Sequence, residues 1–245
     1  MGIAVNAGMS ALLLIAATAE VAASDNRLDG ARRALWAEVE SQVSFLRSEL
    51  GFDELSPEVR LALWNVPREK FVPHEQKHHA YENRPLPIGY AQTISQPLIV
   101  AIMTELAALR PGDRVLELGT GSGYQAAVLD ALGAEVYSVE IIDELGKRAR
   151  TTLDDAGHQN VKTRIGDGYF GWEDAAPFDA IIVTAANDHI PPMLIRQMKP
   201  GGRMVIPVGG RYLTQKLVLV SRGADGVITT REIIPVTFVP LTGQH

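Results

Sequence analysis

Three glycines at alternate positions, Gly119, Gly121 and Gly123, follow an apolar run in the segment VLELGTGSGYQ, residues 115–125. Without side chains, the backbone there can turn sharply and come close to a ligand. Val115, Leu116 and Leu118 read as a short buried strand and Tyr124 to Leu132 as a helix, so the spacing predicts the strand, turn and helix of a doubly wound sheet. A dinucleotide fingerprint requires G-x-G-x-x-G, whereas here the last glycine comes one residue early and position 124 is Tyr. That difference favours S-adenosylmethionine over NAD, with Glu117, Gly119, Thr120, Gly121 and Ser122 as its candidate contacts.

Two further signals follow in order. The strand-like Glu135 to Val139 leads to Glu140, 21 residues beyond the first glycine, where a carboxylate can accept both hydroxyls of a ribose. Alone, Glu140 would read as a surface residue closing a strand; its distance from the glycine loop reverses that. Gly166, Asp167 and Gly168 then follow the strand-like VKTRI. Asp167 can reach an adenine amino group while Gly168 lets the backbone approach, although Gly-Asp-Gly by itself is an ordinary turn.

Composition narrows the alternatives. The chain has 245 residues, 46% hydrophobic, with a net charge of −6, which suits one globular domain and argues against a nucleic-acid or acidic-membrane surface. No cysteine is present, so disulfides, a thiolate zinc site and cysteine nucleophiles are excluded. His74, His78 and His79 lie in a polar stretch with Glu75, Gln76 and Lys77 and read as a solvated segment, so no metal is assigned. Residues 1–30 form a tail in which Ala11 to Ala19 has the length of a signal-peptide core, followed by Ala22, Ala23 and Ser24. No Lys or Arg precedes that run, and it is too short to span a bilayer, so no stable membrane insertion is expected. Export to the periplasm and an uncleaved tail stand about equal on the residues. The cofactor, made in the cytoplasm, tips the expectation there.

Helical spacing predicts a helix from Ala31 to Leu50 and a second from Pro57 to Trp64, with loop from Pro67 to Pro87. From Val100 onward, continuous apolar strands alternate with amphipathic helices: helix to Leu109, strand at 113–118, helix, strand at 135–139, helix from Asp143 to Ala156 and strand at 161–165. FDAIIVTAA, a helix from Pro191 that stops at KPGG, and RMVIPVG complete the series. This implies an α/β fold with a mostly parallel sheet covered by helices on both faces. KLVLVSR and REIIPVTFVPL have no helix between them and are expected to pair antiparallel at an edge. Residues 31–245 are expected to form a single domain.

From Val66 to Thr242 the chain resembles the protein-L-isoaspartate (D-aspartate) O-methyltransferase family. The resemblance rests on VPREKFVP at 66–73, LPIG at 86–89, QTISQP at 92–97, LELGTGSGYQ at 116–125, GDG at 166–168, PFDAIIVTAA at 177–186, KPGG at 199–202 and FVPLT at 238–242. It implies a class I, Rossmann-like methyltransferase that moves the methyl of S-adenosylmethionine to the free α-carboxylate of L-isoaspartyl, and also D-aspartyl, residues in damaged proteins. S-adenosylhomocysteine is the product, and the methyl ester then closes to a succinimide, which starts repair. Residues 1–30 carry none of these motifs and are expected to lie outside the family's pattern.

The resemblance also assigns roles. It implies that Ser95, in T-I-S-x-P, is the active-site residue, donating to the substrate carboxylate, and that Gln92 and Thr93 line the edge of the cofactor. From spacing alone, Ser95 with Pro97 reads as the N-cap of the following helix. The substrate peptide is expected against the LPIG loop and a terminal VPLT strand, touching Ile88, Ile94, Ser95, Val239 and Leu241. Main-chain pairing there would tolerate many flanking sequences. Peptides and proteins carrying isoaspartyl sites are the expected partners, with a monomer as the working unit. A methyltransferase for a small metabolite and an exported peptide-binding module are the alternatives.

Overall fold

The computed structural model describes residues 28–210 and 214–243, so the apolar run at 11–19 lies outside the described residues. The expected helix 31–50 is two helices. α1 covers 28–45 and buries Leu35, Val39 and Val43, and α2 (Arg47–Leu50) follows a turn at Leu46 that carries Leu50 into the core. The carbonyls of Glu49 and Leu50, orphaned at the helix end, accept from the two terminal nitrogens of Arg231, each at 2.9 Å. α3 (Pro57–Asn65) starts as predicted, with proline in its first turn and the Ser56 hydroxyl accepting from the Val59 amide.

The loop expected over 67–87 is more ordered than its polarity suggested. Two 3₁₀ turns, Arg68–Phe71 and His74–His79, fill it, each entered through a proline. LPIG, expected as a loop, is strand β1 (Leu86–Gly89). It pairs antiparallel with β2 (Gln92–Ile94) in a hairpin whose tip, Tyr90 and Ala91, holds both residues at positive φ, 54° and 56°. α4 (Pro97–Ala107) is buried around most of its circumference.

Beyond α4 the alternation read from the sequence holds: β3 (Arg114–Leu118), α5 (Tyr124–Ala131), β4 (Glu135–Glu140), α6 (Asp143–Ala156), β5 (Lys162–Ile165), β6 (Phe178–Val183), α7 (Pro192–Gln197) and β7 (Met198–Val208). β8 (Gln215–Arg222) and β9 (Ile228–Val236) close the sheet, whose order is β5-β4-β3-β6-β7-β8-β9, parallel as far as β7 and antiparallel after it. Side chains alternate between two cores: Val115, Val136, Ala180 and Val205 face one, Leu116, Tyr137, Ile181 and Met204 the other. Burial on both faces is why these strands read as unbroken apolar runs.

Two boundaries differ from expectation. KPGG, expected to stop a helix, lies within β7, which starts at Met198 and shifts register against β6 between Phe178 and Ala180. FVPL, expected to continue the last strand, leaves the sheet after Val236 and crosses to the segment that follows β6, where the Ala186 amide donates to Val239 O and the Leu241 amide to Ala186 O, at 2.8 and 2.7 Å. Pro240, without an N–H, sits between those two bonds.

Candidate functional site

The order of the sheet reverses between β3 and β6, and at such a switch point the carboxyl ends of neighbouring strands diverge to leave a crevice. Gly119 and Thr184 stand at those two ends. The Thr184 amide donates to Leu118 O at 2.9 Å, and its hydroxyl lies 2.9 and 2.8 Å from Leu118 O and Gly119 O. Gly119 has φ 94°, and a β-carbon on it would lie 2.5 Å from the Thr184 hydroxyl oxygen, so only glycine fits. Gly123, at φ 89°, holds the cap position before α5, and a β-carbon there would press to 3.1 Å from Leu153 of α6.

The loop between these glycines is braced from β4. Glu140 accepts from the Gly121 amide at 2.8 Å and from the Ile142 amide at 2.9 Å, so its carboxylate is oriented by backbone at the mouth of the crevice. Behind it runs a buried chain in which the Thr120 and Ser138 hydroxyls lie 2.6 Å apart and Ser138 donates to Glu117 at 2.5 Å. Glu117 is fully buried, and its other oxygen, which faces the Ala126 backbone, has no partner at full hydrogen-bond geometry among the described residues. Burial pushes the Glu117 carboxyl up to about 8, against the pull of the Ser138 hydroxyl and with the help of the Glu140 charge.

Gln92, Thr93, Gly119, Gly121, Glu140 and Gly168 come together around one cleft, closed on its far side by Val239 and Leu241. Asp167, next to Gly168, caps the turn 168–170 by accepting from the Tyr169 amide at 3.0 Å. A smaller cavity beneath brings Ser122, Glu117 and Thr120 to Ile94 and Ser95. Ile88 and Ile94 are buried; the Ile88 side chain packs behind Gly121, and Ile88 lines a small cavity with Phe71, Ser122 and Arg148.

Against this cleft lies a second cavity of about 560 Å³, walled by Thr93, Ser95, Gln96, Thr184, Thr214, Gln215 and the segment Pro235–Val239. Thr93, Thr184 and Val239 line both cavities. Ser95 is not the helix cap that spacing suggested. Gln96 holds the cap position of α4 without a side-chain capping bond, its amide donating instead to Asn83 O at 3.0 Å, and Asn83 reaches in to accept from the Leu98 amide at 3.1 Å. Freed of capping, the Ser95 hydroxyl has no hydrogen-bond partner among the described residues and lines the second cavity.

Thr184, Gln215 and Asn83 were missed from the sequence. Thr184 had a readable signal, since it ends the strand that faces the glycine loop across the switch point. Gln215 and Asn83 had none, because their bonds are long-range: Gln215 pairs its amide with both backbone groups of Phe238, at 3.1 and 2.6 Å. Among the described residues, no cluster of three or more His, Asp or Glu side chains is placed to hold a metal ion.

The donor set fits S-adenosylmethionine. A glycine turn admits close backbone approach, Glu140 and Asp167 are oriented acceptors at the ends of successive strands, and Glu117 keeps one buried oxygen unbonded. The model of the protein-L-isoaspartate (D-aspartate) O-methyltransferase family matches residues 46–245. Protein-L-isoaspartate O-methyltransferase 1 of Cupriavidus necator is 52% identical over 96% of this chain and 91% of its own length. Protein-L-isoaspartate O-methyltransferase 2 of Polaromonas sp. is 57% identical over 85% of this chain and 99% of its own. Among solved structures, a protein-L-isoaspartate O-methyltransferase at 28% identity superposes with a TM-score of 0.72, covering 83% of this chain and 66% of that one. A Plasmodium falciparum structure described as a member of the same family, in complex with S-adenosyl-L-homocysteine, shares the fold with a TM-score of 0.68 at 24% identity, covering 83% and 97%. On its matched length and on these identities, the chain belongs to the protein-L-isoaspartate (D-aspartate) O-methyltransferase family.

Proposed function

We infer that this chain methylates the free α-carboxylate of isoaspartyl residues in damaged proteins, with S-adenosylmethionine in the cleft at the switch point and the peptide in the cavity beside it. The observation that carries this reading is the shared wall: Thr93, Thr184 and Val239 face both cavities, and Ser95, whose hydroxyl has no partner among the described residues, lines the second cavity and the small one beneath the cleft.

When bound, S-adenosylmethionine supplies an electrophilic methyl group on a sulfonium. The acceptor carboxylate is already ionised near neutrality, so the chain needs no strong base. What remains is alignment, which in well-oriented systems is worth about 7 to 11 kcal/mol of barrier. Ser95 donates to one carboxylate oxygen and leaves the other to face the methyl. Glu140 would hold the ribose hydroxyls and Asp167 the adenine edge, with Gln92 and Thr93 at the side of the cleft. Gly119, Thr120, Gly121, Ser122 and Gly168 contribute backbone or small side chains, and Glu117 supports the loop from below. Val239 and Leu241 keep water from the junction. The peptide lies along Thr237–Leu241 rather than along the sheet edge, since that segment has left the sheet. Ile88 and Ile94 support the site from behind, Ile88 packing against Gly121 and Ile94 lining the small cavity beside Ser95.

No described helix is long and apolar enough to cross a membrane. We place the reaction in the cytoplasm, where the cofactor is made, carried out by residues 31–245 as one domain and by a monomer.

The test is transfer of labelled methyl to a synthetic isoaspartyl peptide, beside its aspartyl twin and a Ser95→Ala variant. Base-labile label on the isoaspartyl peptide alone, falling about tenfold or more in the variant, is expected for a donor that acts on the aligned acceptor. Label on small carboxylic acids but on neither peptide would turn the reading to a metabolite methyltransferase.

A further inference from the structure

Arg68 is buried completely, with no carboxylate paired to it among the described residues. Its Nε donates to Ala80 O at 2.9 Å, and one terminal nitrogen donates to Ser95 O at 2.8 Å. The guanidinium carbon stands 5.0 Å over the ring of Tyr124, and the remaining nitrogen has no partner among the described residues. Tyr124 is the first residue of α5, directly after Gly123, and is itself buried and packed edge-on against Phe71. One side chain therefore touches the backbone of Ser95 and the ring that ends the glycine loop.

A buried cation is a poor way to gain stability. Desolvation pulls the Arg68 guanidinium down to about 10, and apolar replacements of such groups are often neutral or stabilising. What a guanidinium adds over an apolar side chain is a rigid planar fork with fixed donor directions and a flat face that stacks on aromatic rings. Here one edge of the fork is committed to Ser95 and the face to Tyr124.

We propose that Arg68 is a positioning residue for methyl transfer, setting the distance between the Ser95 hydroxyl and the glycine loop by holding the Ser95 carbonyl on one side and the Tyr124 ring on the other. The inference rests on the reading of Ser95 given above. The Ser95 carbonyl points inward to the guanidinium and its hydroxyl lines the cavity, so a shift of one moves the other. Arg68 touches neither substrate nor cofactor. It acts through Ser95.

The experiment is a double-mutant cycle of Arg68→Lys and Ser95→Ala in the full chain, with kinetics on the isoaspartyl peptide, S-adenosylhomocysteine affinity by calorimetry, and thermal melting. Lysine keeps the charge and loses the fork. Because a displacement of about 1 Å can cost on the order of a hundredfold, Arg68→Lys is expected to lower kcat by about tenfold or more, with cofactor affinity held within about twofold. In the Ser95→Ala background the same change should have almost no effect on kcat, since the group it positions is gone. Equal fold losses in both backgrounds would overturn the inference, as would a parallel loss of cofactor binding. Arg68→Met is made alongside; if neither variant melts cooperatively, Arg68 is a packing element and the inference falls. A Ser95→Ala variant as fast as the parent overturns the reading of Ser95 itself, whereas a slow Ser95→Ala with additive Arg68→Lys overturns only the positioning role.

Discussion

Glu117 shows how much chemistry one residue can hide. The sequence placed it at the end of the strand before the glycine loop, and that much was legible, but its environment was not: full burial, one bond from Ser138 and one oxygen unbonded depend on strands 21 residues apart lying side by side. Its carboxyl titrates near 8 in the fold and near the ordinary carboxylate value when unfolded. Between those values the folded chain holds a proton that the unfolded chain has released, so stability falls as pH rises from about 5 to about 8, by no more than about tenfold in the folding constant per pH unit. Glu117→Gln should remove that slope, as read from urea midpoints across the range. An equally steep slope in the variant would assign the dependence to other groups. Ser95 teaches the complementary lesson. Its residue type and its proline two places on read as a cap, and the cap is instead supplied by Asn83, 15 residues before the amide it serves. Local spacing cannot see a partner brought in by the fold.

At the scale of elements, periodicity served best where an element is buried on a defined face. The strands of the parallel sheet and α6 were readable because burial on both faces, or on one stripe, writes itself into the run of residues. The segments 67–87 and 238–242 were not. They are held by prolines, 3₁₀ turns and a few backbone bonds, none of which leaves a repeating pattern. Gly123 illustrates an element boundary set by packing as well as by backbone. Gly123→Ala combines a left-handed φ with a contact at 3.1 Å to Leu153, and should cost about 1 to 3 kcal/mol in urea unfolding. Gly30→Ala, within α1 and with open space around it, should instead add up to about 1 kcal/mol. Gln215 fixes an element by another route, pinning Phe238 so that the chain after β9 turns to wall both cavities. Gln215→Ala should raise the KM for peptide several-fold while kcat falls less, an outcome read from the same transfer assay; a fall in kcat at constant KM would mean that the wall matters to alignment instead.

For the whole molecule, the cleft between β3 and β6 joins the two halves of the sheet, so a ligand there is expected to bind the folded chain and not the unfolded one. S-adenosylhomocysteine at a hundred times its dissociation constant should add about 3 kcal/mol and raise the melting temperature by roughly 5 to 10 °C. No shift at saturation would remove the cofactor from this cleft. Stability elsewhere in the molecule sets how much local cost the site can carry. The hairpin of β1 and β2, which delivers Gln92 and Thr93 to the cleft, turns on Tyr90 and Ala91, two residues with side chains in a conformation that suits Asn and Gly. An engineer seeking a hardier catalyst would begin at that tip: Tyr90→Asn with Ala91→Gly relieves both positions at once, and the gain, on the order of 1 kcal/mol, would be bought without touching a wall of either cavity.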